Sequence, residues 1–391
     1  MAQIAIVQSS RVAYLDGLRG VAALSVVFAH LAAGYFPALY FVDGPDDAPA
    51  WMGYFASTPL FVLISGTFAV FIFLVLSGFV LSAVVADGRQ SLPVLIPTRF
   101  LRLAVPASVS ALVAYVLYVA GWMRPEEIAS ITHHDWAGKY YSGITTATAA
   151  FETAGGYFIT GKSKLDPVLW TMRVELIGSY LIYFLFAFGR TALIRAASVV
   201  ALGLISLFAG GATLFVLCFC VGSMFFDHWR TILRIPAWTG WAALIVGLLL
   251  GGYPEALAGT TYEPVGSAFE AMFGSFGGPM IARTIGAALI VLAVLRLTTL
   301  QNLLQTPPIK FLGAISFPLY LLHFPLLFSV FAAMFVHYSA TGSGLLLAAY
   351  LVAFFAILFA AAWLLERFVD QPLLAGLRSL KSALRTRFAH A

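Results

Sequence analysis

Ten apolar stretches, each about long enough to cross a bilayer, leave this chain few ways to fold. They fall at about 20–41, 58–85, 103–121, 167–188, 191–208, 211–226, 236–252, 279–300, 311–336 and 344–365. A hydrocarbon core about 30 Å thick requires roughly 20 apolar residues per helix. Within that core each segment must satisfy its own backbone polar groups, which helices do. The predicted fold is therefore all-α, a polytopic bundle of about ten transmembrane helices. Only 10% of the residues are charged, against about 25% in domains whose surface faces water. No extended soluble domain is left over. The expected organisation is one integral membrane domain over 1–391, with an N-terminal segment at 1–19, an outer loop at 122–166 and a basic tail at 367–391.

An even number of spans puts both termini on one side, and the basic residues decide which. The ends sharing a side with the N-terminus hold Arg11, Arg19, Arg89, Arg99, Arg102, Arg190, Arg195, Arg230, Arg234, Arg296, Lys310, Arg367, Arg378, Lys381, Arg385 and Arg387. The opposite ends hold Arg124, Lys139, Lys162 and Lys164, while Arg173 and Arg283 lie inside helices or at their rims. Sixteen against four predicts cytoplasmic termini, because cytoplasmic loops retain Lys and Arg. The outer loops are acidic, with Asp43, Asp46, Asp47, Glu126, Glu127, Glu255, Glu263 and Glu270. The net charge of +5 is thus a topological signal, and no nucleic-acid footprint is read from it. The first span has features of a cleaved signal ending near Ala32, Ala33 and Gly34. Apolar residues continue through Val42, however, and losing the segment would spoil the alternation. Cys218 and Cys220 point about 200° apart on a helix and cannot bridge each other. Neither internal repeats nor low-complexity tracts are visible, which weakens an inverted-repeat transporter reading.

Ionisable groups at membrane depth are costly, so each marks a candidate site. His30 lies eleven residues past Arg19, roughly 16 Å deeper, and about 1100° of helical turn returns it to nearly the same stripe. Arg99 and Arg102, three apart at the entrance of the third span, face one way, which suits phosphates. They also suit plain snorkelling anchors. In the fourth span Thr171, Glu175 and Ser179 share a polar face that Arg173 does not, and Glu175 is expected about 10 Å below the outer interface. An interhelical structural carboxylate is the alternative. Ser316, Tyr320 and His323 form another stripe, with Pro318 and Pro325 loosening the helix. Two midplane imidazoles and a carboxylate on separate helices suggest a lined cavity. His133, His134 and Asp135 hint at a metal but lack a ligand set at fixed spacing. Ser65–Gly66 and Ser77–Gly78 suit close helix packing better than nucleophiles, since a nucleophile elbow needs a strand-to-helix turn.

These residues resemble the membrane acyltransferase-3 family. The resemblance is carried by Tyr14, Asp16, Gly17, Arg19 and Gly20 with His30 following, by Phe73 to Phe79 with Ser77–Gly78, and by Arg99, Arg102 and Pro106. It is carried further by Trp170–Thr171 with Glu175, by Ser316 through Tyr320 and His323 to Pro325, and by Glu366 to Pro372. Six motifs in order span nearly the whole chain. Arg173 departs from the pattern, standing where an uncharged residue is expected, and the appended esterase-like domain of some relatives is not expected here. The resemblance implies an acyl-coenzyme A donor, commonly acetyl, and a carbohydrate, lipid-linked glycan or other hydroxylated acceptor in the envelope of a bacterial inner membrane. It implies His30 and Glu175 as catalytic residues. Arg19, Arg99, Arg102, Ser77 and Gly78 would serve the donor, and Asp16, Trp170, Thr171, Arg173, Ser316, Tyr320 and His323 the acceptor pocket. No metal and no permanently bound cofactor is expected. His30 could act as general base or carry the acyl group as a nucleophile; oligomeric state and acceptor identity stay open. The same polar residues permit a second reading, a transporter or proton-coupled exporter with His30, Glu175 and His323 as a relay. A third is a non-catalytic membrane scaffold.

Overall fold

The computed structural model describes residues 13–389 apart from Asp43, Asp46, Asp47, Arg89, Gln90, Arg190 and Glu255. Arg11, Arg89 and Arg190 of the basic count, and Asp43, Asp46, Asp47 and Glu255 of the acidic one, lie outside the described residues, as do the side chains of Arg385 and Arg387. The structure is 84% helical with no strand among the described residues, as the apolar runs demand. The long helices are α1 (Ala13–Tyr35), α2 (Gly66–Ala86), α3 (Leu92–Val119), α4 (Trp170–Phe188), α5 (Ala192–Ala209) and α6 (Phe215–Asp227). They continue with α7 (Ala237–Gly251), α8 (Glu263–Arg296), α9 (Pro307–Leu326), α10 (Gly344–Leu365) and α11 (Gln371–Ala389). Among the described residues, eight helical segments are long and apolar enough to cross a membrane. The apolar α6 and α7 are shorter, and the 15 residues of α7 extend only about 22 Å. Together these ten coincide with the ten apolar runs. Gly274 breaks α8 with φ 79° and ψ 163°, a backbone conformation open to glycine because it has no Cβ.

The chain divides into two compact units. The first comprises Met1–Val26, Ala50–Ile96 and Ile177–Ala314. Here α2 and α6 approach closely through glycines. A Cβ on Gly78 would come within 2.3 Å of the Phe219 carbonyl oxygen, and one on Gly222 within 2.1 Å of that of Val75. The N-terminal motif uses its glycines in the same way, with Gly17 against Leu304 and Gly20 against Gly313. Membrane helices rely on such small residues because lipid gives them no hydrophobic drive to associate.

The second unit comprises Val27–Pro49, Pro97–Leu176 and Ile315–Ala391, and it holds the site. Its α9 ends in a π turn at Leu327–Phe331 before the helix resumes as Ala332–Thr341. Two carbonyls of that turn accept from outside the helix, Leu327 from the Tyr35 hydroxyl at 2.5 Å and Phe328 from the Arg124 amide at 3.0 Å. Pro325 has no N–H for the carbonyl of Leu321, which receives the Ser110 hydroxyl at 2.8 Å instead.

The connection between α3 and α4, expected as an outer loop, folds into the short helices Pro125–Thr132, Thr146–Thr153 and Tyr157–Thr160. It doubles back along α3. The Tyr157 hydroxyl lies 3.4 Å from both the Ser108 hydroxyl and the Ala104 carbonyl oxygen, and Phe158 packs on Phe100. Nineteen residues separate Phe100 from Val119 at the end of α3, or roughly 28 Å of helix. The aromatic residues of the connection drive this return, because Tyr141 and Tyr157 are buried in it.

Candidate functional site

His30 and His323 meet within the second unit. The Nδ1 of His30 lies 2.8 Å from the Nε2 of His323, and the Nδ1 of His323 lies 2.6 Å from the carbonyl oxygen of Tyr320. A carbonyl only accepts, so His323 carries a proton on Nδ1, and in the neutral ring its Nε2 is a bare acceptor. His30 must then donate from Nδ1. What remains on His30 is Nε2 with an unshared pair, the form needed to take a proton or attack a carbonyl. His323 is fully buried. His30 is only partly buried, its ring stacked on Trp136 at 5.9 Å and met edge-on by Phe324 at 5.1 Å.

The carbonyl that fixes His323 is itself fixed. The hydroxyl of Tyr320 lies 2.9 Å from the Val168 carbonyl oxygen and 2.9 Å from the Thr171 hydroxyl. The Thr171 hydroxyl in turn donates to the Val168 carbonyl at 2.9 Å. The predicted stripes on the fourth and ninth spans thus meet through Thr171 and Tyr320. Ser316 is buried one turn before Tyr320.

Glu175 does not join the imidazoles. It forms an ion pair with Arg99, both side chains being nearly buried. This corrects two expectations: Arg99 does not pair with Arg102 as a free phosphate fork, and Glu175 lies level with the Arg99 turn of α3. The return of the α3–α4 connection lowers the start of α4 along α3 and so brings the two together. Arg102 has other company, since Asp370 and Lys381 come within its electrostatic reach and Lys381 also feels Arg99. Spacing could not reveal Lys381, which lies far along the chain. Asp370 was signalled only by its place in the segment Glu366 to Pro372.

Where the connection joins α4, Asp166 is fully buried with its Oδ2 2.7 Å from the Ser110 hydroxyl. Burial pushes its carboxyl up from 3.8 to about 7, against the opposing hydrogen bond from Ser110. Burial also pushes the Tyr140 phenol up to about 12 and that of Tyr141 well above its usual value, the latter helped by Asp166. None of these three was singled out from the sequence, because a loop offered no periodicity to read. His134, by contrast, is absorbed locally, its ring stacked on Phe41 at 4.4 Å and its Nδ1 accepting from the Trp136 amide. Trp170 borders a cleft with the connection, and Arg173 is exposed beside Gly161.

The remaining candidates belong to the first unit. Asp16 and Arg19 are partly buried on α1, on a helix that runs unbroken to His30. Ser77 and Gly78, expected to serve the donor, are buried, and the backbone of Phe219 fills the space where a Gly78 side chain would stand. That is a packing role, and it leaves no room for a ligand at Gly78.

Residues 12–367 match the acyltransferase-3 family, described as an acyltransferase domain. The match covers most of the chain, which therefore belongs to this family and is a multi-pass integral membrane acyltransferase. No curated protein and no solved structure matches it.

Proposed function

We propose that the protein transfers an acyl group, commonly acetyl, from acyl-coenzyme A to a hydroxyl of an envelope or exported carbohydrate, with His30 as general base. The observation that carries this reading is the chain His30, His323, Tyr320 carbonyl, which, with both rings neutral, leaves an unshared pair on the Nε2 of His30. As the hydroxyl oxygen bonds to the thioester carbonyl carbon, Nε2 takes its proton; as the carbon–sulfur bond breaks, that proton passes to the departing thiolate. Acceptance by His323 eases the transient charge on His30. Arg102 and Lys381 supply the positive field for the phosphates of coenzyme A, with Arg99 braced by Glu175. The basic bias of the loops supports a cytoplasmic donor and an acceptor arriving from the outer face of a bacterial inner membrane. The ion pair of Glu175 with Arg99 favours a structural role for this carboxylate over a relay.

Mass spectrometry of envelope glycans from wild-type, deletion and His30→Ala strains tests this. The acyl substituent should disappear in both altered strains while the variant protein reaches normal abundance in the membrane. Unchanged glycans in the His30→Ala strain would overturn the assignment.

A further inference from the structure

The chain uses Arg as its main cation and has only five Lys residues, yet Lys139, Lys162 and Lys164 all border one cleft of about 500 Å³. That volume is in the range of small-molecule sites. The positive-inside bias makes the concentration more informative. The outer connections hold four basic residues, of which Arg124 pairs with Glu127 at 3.0 Å. The other three are these lysines, and all three are exposed. Arg173 adds a fourth cation at the margin, its guanidinium approaching Gly161, itself part of the wall. Among the described residues no carboxylate borders the cleft. Two carboxylates lie behind the wall, both buried: Asp166, which acts on Tyr141, and Glu152, which accepts from the Ser163 hydroxyl at 2.6 Å and from the amides of Lys164 and Leu165. These bonds shape the turn that carries Lys162 and Lys164 on the rim.

The rest of the wall is aromatic, with Tyr140, Tyr141 and Trp170. Tyr141 is 6% exposed, and its phenol oxygen has no hydrogen-bond partner among the described residues. A buried hydroxyl without a partner calls for an explanation, and a bound ligand or water is one. Tyr140 and Tyr141 both pack on Phe324, at 4.9 and 6.3 Å, and Phe324 meets His30 edge-on. The cleft is one aromatic layer away from the imidazole pair.

Resting on the acyltransferase reading, we infer that this cleft receives the acceptor and that the acceptor is anionic, a sugar-like molecule bearing a carboxylate or phosphate held by Lys139, Lys162 and Lys164. The aromatic residues give sugar faces a flat apolar wall. Clustered ammoniums with low-dielectric walls concentrate an anion, and Lys serves such groups as a point charge.

The test is binding to the full-length protein in phosphatidylcholine nanodiscs, with trigalacturonate against its methyl ester and maltotriose phosphate against maltotriose. At least one acid should bind better than its neutral counterpart and weaken with added salt. Lys139→Gln/Lys162→Gln/Lys164→Gln should lose that preference, on the order of tenfold to a hundredfold for three exposed contacts. Lys139→Gln/Lys162→Gln, which retains the 3.3 Å contact of Lys164 with the Gly143 carbonyl, should lose part of it if the triple variant is not recovered. Equal binding of acids and neutral counterparts, or full binding by the variants, overturns the inference. So does loss of acid binding in phosphatidylglycerol nanodiscs, which would make the cleft a lipid-headgroup site. Acid binding without acyl transfer to any acceptor would refute the acyltransferase reading and leave the cleft assignment standing. Acyl transfer without acid preference would do the reverse.

Discussion

His323 accepts the Nδ1 proton of His30 at 2.8 Å while giving its own Nδ1 proton to the Tyr320 carbonyl at 2.6 Å. Two neutral rings in this arrangement have one consistent placement of their protons, which leaves the Nε2 of His30 as the open acceptor. With His30 as the proposed base, His323 would be a positioning residue, acting through His30 much as a buried carboxylate orients a catalytic imidazole elsewhere.

His30→Ala should reduce kcat for acyl transfer by roughly 10²- to 10⁴-fold, the usual range for a general base. His323→Phe fills the space without accepting a proton. It should lower kcat by on the order of tenfold or more, with KM for either substrate nearly unchanged. A steady-state comparison in purified protein measures both, and a KM-only effect at His323 would refute its positioning role. Single turnover with labelled acyl-coenzyme A and no acceptor should leave no label on the protein; label retained on His30 would establish a two-step route instead.

The Arg99–Glu175 pair should behave as a structural unit. Removing one member of a buried pair leaves the other uncompensated and costs about 3–5 kcal/mol, reduced here because both side chains keep slight exposure. Arg99→Gln and Glu175→Gln should each lower the melting temperature in detergent more than the double variant does. Equal or additive losses would mean the pair is incidental. Arg102→Gln and Lys381→Gln should mainly raise KM for acyl-coenzyme A.

Gly78 distinguishes packing from ligand binding. Gly78→Ala forces a methyl group to within 2.3 Å of the Phe219 carbonyl oxygen, and overpacking of this kind costs typically 1–3 kcal/mol. The variant should melt lower, and adding acyl-coenzyme A should stabilise it as much as it stabilises the wild type. An unchanged melting temperature with weakened donor binding would restore the donor role.

The apolar runs made the helices legible, because a helix in lipid must satisfy itself locally and its length is set by the bilayer. The polar stripes were legible for the same reason. Thr171 and Tyr320 do face one another, and His30 and His323 are partners. What periodicity could not supply was depth. A position for Glu175 near the outer interface presumes that α4 begins there, whereas the α3–α4 connection folds back along α3. That return depends on contacts such as Phe158 with Phe100, which no local pattern encodes. The same blindness hid Asp166, Tyr141 and the lysine cleft, whose members are brought together by turns.

Asp166 gives the connection a pH signature. The Ser110 hydroxyl has one proton and two neighbours, the Leu321 carbonyl at 2.8 Å and the Asp166 Oδ2 at 2.7 Å. The carbonyl can only accept. A serine proton divided between the two holds the carboxylate only weakly, in keeping with an Asp166 carboxyl pushed up to about 7 by burial. Because the folded value lies above the unfolded one, the folded state holds a proton between about pH 4 and 7 that the unfolded chain has released. The contribution of Asp166 to stability is therefore fully present below pH 4, declines as pH rises to 7 by at most roughly 1.4 kcal/mol per pH unit, and is flat above. Asp166→Asn keeps the size and a donor for Ser110 but cannot ionise. Its melting temperature relative to wild type should rise steadily between pH 4.5 and 7.5 and then level off. Parallel melting profiles across that range would mean that Asp166 is ionised in the folded protein.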